Sequence, residues 1–285
     1  MRIDLHAHST ASDGTDTPAE LVARARANGL DVVAVTDHDS TAGWGEAIDA
    51  RPRGLTLVPG AEFSCVHIDD SGRRTALHLL GYLFDPDHPA LRAERARLRG
   101  SRRARGAAIV ANLVADGVPI SWDRVRELAG SGVVGRPHIA RALVEAGVVA
   151  TVGEAFEELL SSTSKHYVRK DDTEVFRALA LVRAAGGVAV FAHPYAVTRG
   201  PIVGPEAIAA LAAAGLAGVE ANHPDHDPAQ RAALAGLAGE LGLIVTGASD
   251  YHGANKLTPL GACVTDPDQF AALVDRATAR QPVSG

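Results

Sequence analysis

Cysteine is nearly missing from this chain of 285 residues. Cys65 and Cys263 stand far apart and outside any CxxC spacing, which excludes a disulfide framework and a zinc ribbon. Both are expected as small core residues. No run approaches the roughly 18 apolar residues of a membrane helix, and the start MRIDLHAH lacks a basic segment followed by an apolar one and a cleavage site. A cytoplasmic protein with no membrane partner is therefore expected. Positive charge is not in excess either: 28 Lys and Arg face 34 Asp and Glu, and a net charge of -6 argues against broad electrostatic coating of duplex DNA. The scarcity of lysine and aromatic residues beside abundant Ala, Gly and Arg is compositional bias and says little about function. Three signatures are also missing. Without GxSxG there is no nucleophile elbow, and without a P-loop or a strand-linked GxGxxG, nucleoside triphosphate and dinucleotide binding lack support.

What is present is a hydrophobic content of 46 %, enough for a sizeable core. Strand-like and helical stretches alternate, beginning with RIDLHAH and TPAELVARARANG. In the latter, Thr17 as N-cap, Pro18 at the first turn, Glu20 closing a capping box and Gly29 just past the end punctuate a helix. DVVAVTDHD and GLTLVPG follow, then AEFSCVHID and RTALHLLGYLF around the turn DDSGR, which together read as a hairpin. From Pro89 to Val168 the patterns are helical throughout. From Thr173 helices and strands alternate again to the end, which implies parallel pairing with right-handed crossovers. The expected organisation is an α/β barrel over 1–88 and 169–285, interrupted by a helical insertion over 89–168 that caps the substrate.

Histidines and carboxylates collect at the ends of the strand-like runs. His6 and His8 end the first, Asp37, His38 and Asp39 the second, and Glu62 follows LVPGA; His193 ends VAVFA, Glu220 and His223 follow AGV, and Asp250 and His252 follow LIVTGAS. In parallel βα folds the C-terminal strand ends converge on one rim, where active sites are built. The i,i+2 spacing of His6 with His8 and of Asp250 with His252 puts each pair on one face of an extended strand, as a metal site requires. Mixed imidazole and carboxylate donors suit Mn²⁺, Zn²⁺ or Fe²⁺. Asp39 reads as a turn or capping residue and Asp37 as support for a ligand. His67, His88, His166 and His226 lie in loops or polar contexts and are expected at the surface. In GRPHIARAL, Arg136 and His138 open a helix, where backbone N–H groups and an arginine fork suit a phosphate. Lys165 and Arg169 in SKHYVRK are further phosphate candidates. Arg92, Arg95, Arg99, Arg102, Arg103 and Arg105 read as a solvated helix face that can guide a short RNA end.

The segments DLHAHST with SDG, TDHD, GAEFS, His78 in LHLLGY, His193-Pro194 and SDYHG, in this order, resemble the PHP family, named for polymerase and histidinol phosphatase proteins. The resemblance implies a distorted (β/α)7 barrel and a trinuclear metal site with two or three divalent ions per chain, manganese first among them. One metal would take His6, His8, Glu62 and Asp250; a second would share Glu62 and take His78 and His193; a third would take His38, His252 and Asp13, where many relatives carry histidine. A carboxylate bridging two cations about 3.5–4 Å apart suits two-metal phosphoester hydrolysis. Asp250 is expected to orient or deprotonate the attacking water, and His193 or His223 to protonate the departing oxygen; His223 is also a phosphate candidate. The branch with SDG, GAEFS and GRPHIARAL includes phosphatases of nucleoside 3′,5′-bisphosphates and 5′→3′ exonucleases of short RNA. The implied substrate is thus a small nucleotide or a short RNA 5′ end. Histidinol-phosphate phosphatase is the alternative enzyme, and a structural metal-binding module is the alternative outside catalysis.

Overall fold

A computed structural model describes residues 1–284. The chain runs β1 (Ile3–Asp4), α1 (Pro18–Ala27), β2 (Val32–Val35), α2 (Trp44–Asp49), β3 (Thr56–Ile68) and β4 (Arg74–Tyr82). Four helices follow: α3 (Pro89–Ala115), α4 (Trp122–Ala129), α5 (Arg136–Glu145) and α6 (Val152–Glu158). The chain then continues through β5 (Thr173–Glu174), α7 (Val175–Ala184), β6 (Val188–Ala192), α8 (Pro205–Ala213), β7 (Gly218–Asn222), α9 (Pro228–Leu241), β8 (Ile244–Gly247) and α10 (Pro267–Arg276). The capping signals act as read. Thr17 accepts from the Glu20 N–H while Glu20 reaches back to the Thr17 N–H, and Gly29 takes φ 73° beyond the helix end.

The strands pair in the order β1-β2-β3-β4-β6-β7-β8, with β5 as a short extra strand on β3. β4 runs antiparallel to both neighbours, as the hairpin around DDSGR requires, and the other pairs on the path are parallel. The two ends of the path meet: Ala7 bridges Tyr251 in parallel, and the Thr265 N–H donates to Ile3 O. The sheet is a nearly closed barrel of seven strands. Its interior is apolar, with Ile3, Leu5, Val58, Leu80, Tyr82 and Val190 in one cluster, while a second cluster fills the space beneath the surrounding helices.

The first strand is shorter than RIDLHAH suggests. Beyond Asp4 the Ala7 N–H bonds the Thr36 hydroxyl instead of a backbone carbonyl, and His6 N–H bonds the Asp4 carboxylate, so the regular ladder stops. The extended alternation nevertheless survives to His8, whose N–H donates to Tyr251 O. β5, two residues paired with β3, is likewise an addition to the expected elements.

Helices α3 to α6 stand between β4 and β5 and carry an apolar cluster of their own, including Ile109, Leu113, Val125, Ile139 and Leu143. The first half of α3 is tied to the barrel: Leu91 and Leu98 enter the main core, and Glu94 accepts from Thr173 and Arg177. Its arginines are not the solvated face expected. Arg95 is buried and bonds Thr41 and Pro86 O, Arg99 reaches Asp39 O, and the Arg102 guanidinium lies between Asp39 and Ser64. Arg92 and Arg103 do remain exposed. The helical periodicity hid this, because a helix laid across the polar rim of a barrel buries a charged face.

Candidate metal centre

The barrel rim brings together His6, His8, Asp13, His38, Glu62, His78, His193, Asp250 and His252, donated by seven segments of chain. Glu62, midway along the long β3, is the hub. Its Oε1 lies 2.7 Å from His78 Nδ1 and 3.1 Å from His193 Nε2. Its Oε2 lies 3.2 Å from both His6 Nε2 and His8 Nε2, and 3.1 Å from His38 Nδ1. Asp250 Oδ1 faces the same two nitrogens at 3.4 and 3.3 Å. Asp13 lies at the far side, 3.5 Å from His252 Nε2 and 3.7 Å from His38 Nε2, with His8 Nδ1 also 3.7 Å away. His38 thus spans from Glu62 to Asp13, and His8 faces Asp250 with one nitrogen and Asp13 with the other.

The donors fit a metal. Three sets place their ligand atoms within 4.8 Å of one another: His6, His8, Glu62 and Asp250; His8, Asp13, His38 and His252; and His38, Glu62 and His78. Two imidazole nitrogens and two carboxylate oxygens converge in the first, more than one proton can satisfy. Asp13 Oδ1, His38 Nδ1 and His78 Nδ1 are buried with no hydrogen-bond partner, the condition that an ion relieves.

Neighbouring groups hold the ligands in position. His6 Nδ1–H donates to Glu220 Oε1 at 3.0 Å, leaving its Nε2 lone pair toward the cluster, and the other Glu220 oxygen accepts the His193 N–H. His252 Nδ1–H donates to Asp250 O, freeing Nε2 toward Asp13. Asp37 accepts from the Ser9 N–H and hydroxyl and from the Ser12 hydroxyl, fixing the loop that carries Asp13. A side chain at Gly14 in this loop would collide with His8 O. Asp39 is no cap: it is buried, paired with Arg102 at 2.6 Å, and accepts from the Ser64 N–H. Of the four non-glycine residues with positive φ, Asp39, His193 and Asp250 belong to this rim, so the backbone is bent here to aim side chains.

The protonation pattern follows from burial against charge. Burial alone would lower His8, but Asp250 and Glu62 overcome it and raise it to about 9; His6 is raised by Asp250, Glu62 and Glu220 in the same way. Burial takes His193 down to about 3 with help from Arg199, and His252 to about 3 with help from Lys256. Burial opposes ionisation of Glu62, Asp250 and Asp13, yet the surrounding imidazoles and cations hold all three well below the usual carboxylate range. Ionised carboxylates and neutral imidazoles are the forms that bind metal.

Other sequence candidates lie elsewhere. Arg136 sends Nη1 to Leu160 O and its guanidinium 5.2 Å over the Phe156 ring, lining a pocket with Arg102, Arg105 and Gly135. That pocket adjoins the rim, since a Cβ on Gly135 would stand 3.4 Å from Asp13 Oδ2. His138 is buried and accepts the Gly135 N–H with Nδ1, capping its own helix. Lys165 is exposed and paired with Asp116, and Arg169 is exposed. His166 and His226 are buried, contrary to expectation: His166 Nε2 meets Asp116 at 2.6 Å, and His226 is held by Ala221 O and the Tyr195 N–H. Loop position was a poor guide, because both loops fold back on the body. His223 lies in the site: Nδ1 accepts the Asp225 N–H, placing its proton on Nε2, 3.5 Å from Asp250 Oδ2.

Sequence reasoning gave no role to Glu220, Arg199 or Lys256. The signal for Glu220 was a carboxylate inside the buried strand GVEAN. Arg199 and Lys256, both on Asp250 Oδ2 at 2.6 and 2.5 Å, stand in ordinary loop contexts and left none.

Residues 4–186 match the PHP domain. The chain belongs to the PHP domain family. Over 194 residues it is 39 % identical to a 5′-3′ exoribonuclease of Haemophilus influenzae, covering 68 % of this chain and 69 % of that one. It is 36 % identical to a 3′,5′-nucleoside bisphosphate phosphatase of Chromobacterium violaceum, covering 67 % and 66 %. This PHP chain thus aligns with about two thirds of the length of these relatives. A proposed metal-dependent phosphoesterase of Bifidobacterium adolescentis superposes with a TM-score of 0.91 at 38 % identity over 97 % of this chain and 96 % of its own. An amidohydrolase of Chromobacterium violaceum with bound sulfate gives 0.84 at 30 % identity over 98 % of both chains.

Proposed function

We propose that this PHP protein is a metal-dependent phosphoesterase that removes the 3′-phosphate from nucleoside 3′,5′-bisphosphates. The observation that carries the reading is the contact, through Asp13 and Gly135, between a rim built to hold cations and a pocket lined by Arg102, Arg105 and Arg136. One end binds metal and a reacting phosphate, and the other binds a second anion. The relatives named a bisphosphate phosphatase and an exoribonuclease support the same chemistry.

His6, His8, Glu62 and Asp250 would hold one ion, His78, His193 and Glu62 a second, and Asp13, His38 and His252 a third; this mixed donor set suits Mn²⁺, Zn²⁺ or Fe²⁺. Bound there, the ions supply charge neutralisation at the phosphoryl oxygens and an activated water. Asp250, kept ionised by Lys256 and Arg199, is a weak base and orients the water instead of retaining its proton. His223 presents an Nε2–H with no hydrogen-bond partner beside Asp250, and so serves as donor to the departing oxygen. His193 directs its own Nε2 at Glu62 and is the poorer donor. The helices over 89–168 act as the cap that measures the second phosphate, with Arg102 and Arg105 beside Arg136 in the pocket. Trimming of a 5′-phosphorylated RNA end is the second reading, favoured by the exposed Arg103 on the same helix.

Phosphate release from adenosine 3′,5′-bisphosphate, histidinol phosphate and a 5′-phosphorylated RNA oligomer, with metal analysis of the same sample, tests the reading. Adenosine 3′,5′-bisphosphate is expected to be turned over fastest. Release from histidinol phosphate alone, or metal-loaded protein inert toward all three, contradicts it.

A further inference from the structure

The chain holds only twelve Phe, Tyr and Trp residues, and among the described residues a single one of them, Tyr167, is exposed. It stands at 40 % exposure beside the arginine pocket. The Arg105 guanidinium, which lines that pocket, lies 5.4 Å over its ring. The segment bearing Tyr167 is pinned on both sides. Arg105 Nε donates to Val168 O at 2.6 Å, His166 is buried against Asp116, and the Tyr167 N–H closes a turn on Ser164 O. An aromatic ring is thus presented to solvent in a set position, its polarity matched by a cation on one face.

The pocket beside it wants an anion. Arg105 and Arg136 hydrogen-bond only to the carbonyls of Val168 and Leu160, and among the described residues neither has a carboxylate partner. Packing half-buried guanidiniums together without a counter-charge is unfavourable unless a ligand supplies it. A phosphate seated on Arg105 leaves whatever is attached to that phosphate close to the Tyr167 ring.

We propose that Tyr167 is the platform on which the nucleobase of the substrate stacks, so that a nucleoside monophosphate unit is read as phosphate by Arg105 and Arg136 and as base by Tyr167. Every base has a flat π-face, so this contact selects nucleotides over sugar phosphates without selecting one base. It rests on the nucleotide reading given above and adds the residue that recognises the base.

Calorimetric binding of adenosine 5′-monophosphate and ribose 5-phosphate to the metal-loaded wild type, Tyr167→Ala and Tyr167→Phe tests it, with turnover of adenosine 3′,5′-bisphosphate followed on the same samples. Tyr167→Ala is expected to weaken the adenosine ligand about tenfold, with Tyr167→Phe restoring it and ribose 5-phosphate binding alike to all three. Equal affinity of the adenosine ligand for all three proteins, or an equal loss for both ligands, overturns the platform. The two readings fail separately. The expected binding pattern without turnover of the bisphosphate overturns only the phosphatase assignment, whereas turnover with unchanged adenosine affinity overturns only the platform.

Discussion

The barrel rim and the arginine pocket of the insertion lie side by side and are built on opposite principles. On the rim Asp13, Glu62 and Asp250 each face imidazoles, and four of the six candidate ligand imidazoles have a second nitrogen or their backbone tied by a carboxylate, a carbonyl or a hydroxyl. In the pocket, Arg105 and Arg136 meet carbonyls and aromatic rings but no acid. The rim is a surplus of donors for cations, and the pocket a surplus of cations for an anion. A substrate carrying two phosphates completes both, one through the metals and one directly.

Substitutions that break the rim have the largest effects. Glu62→Gln keeps the shape of the hub but removes its charge from five imidazoles, and phosphate release is expected to fall on the order of 10³-fold with loss of bound metal. Full turnover in this variant removes the rim from the chemistry. Glu220→Gln acts one step back: it weakens the support on His6 Nδ1 while leaving every metal donor in place. Metal affinity is expected to drop about 10–100-fold, measured by competition with a chelator, and excess Mn²⁺ restores activity. Unchanged affinity shows that Glu220 only fills space.

A smaller effect is the pH response of the metal-free protein. His8 is raised from 6.5 to about 9, so its contribution is fully present below pH 6.5 and is lost as pH rises through 9. Chelated protein is expected to melt several degrees lower at pH 9 than at pH 6.5. Mn²⁺-loaded protein escapes this loss, because metal binds the deprotonated imidazole more tightly as pH rises. A chelated melting temperature that climbs over this range contradicts the electrostatic account of the rim.

The two regions also differ in how far the sequence discloses them. Strand ends announce themselves by apolar runs, so His6, His8, His38, Glu62, His193, Asp250 and His252 were legible from their positions alone, and only the resemblance drew in Asp13 and His78. The barrel and the hairpin were legible for the same reason. The arginines of α3 were not, because one periodicity describes a helix facing water and a helix lying across a polar rim. Which of Arg95, Arg99, Arg102 and Arg105 turns inward depends on where β2, β3 and the loop around Val168 arrive, and those are tertiary contacts. His166 and Arg199 were hidden likewise, one by a loop folding back on Asp116 and the other by a carboxylate 51 residues away.

The account stands on the rim and pocket holding one substrate together. The most direct measurement compares kcat/KM for adenosine 3′,5′-bisphosphate with that for adenosine 3′-monophosphate, in the Mn²⁺-loaded wild type and in the double variant Arg105→Ala, Arg136→Ala. The wild type is expected to prefer the bisphosphate about 10²-fold, and the preference to vanish in the double variant while the monophosphate rate holds. An undiminished preference in the double variant, or none in the wild type, contradicts it.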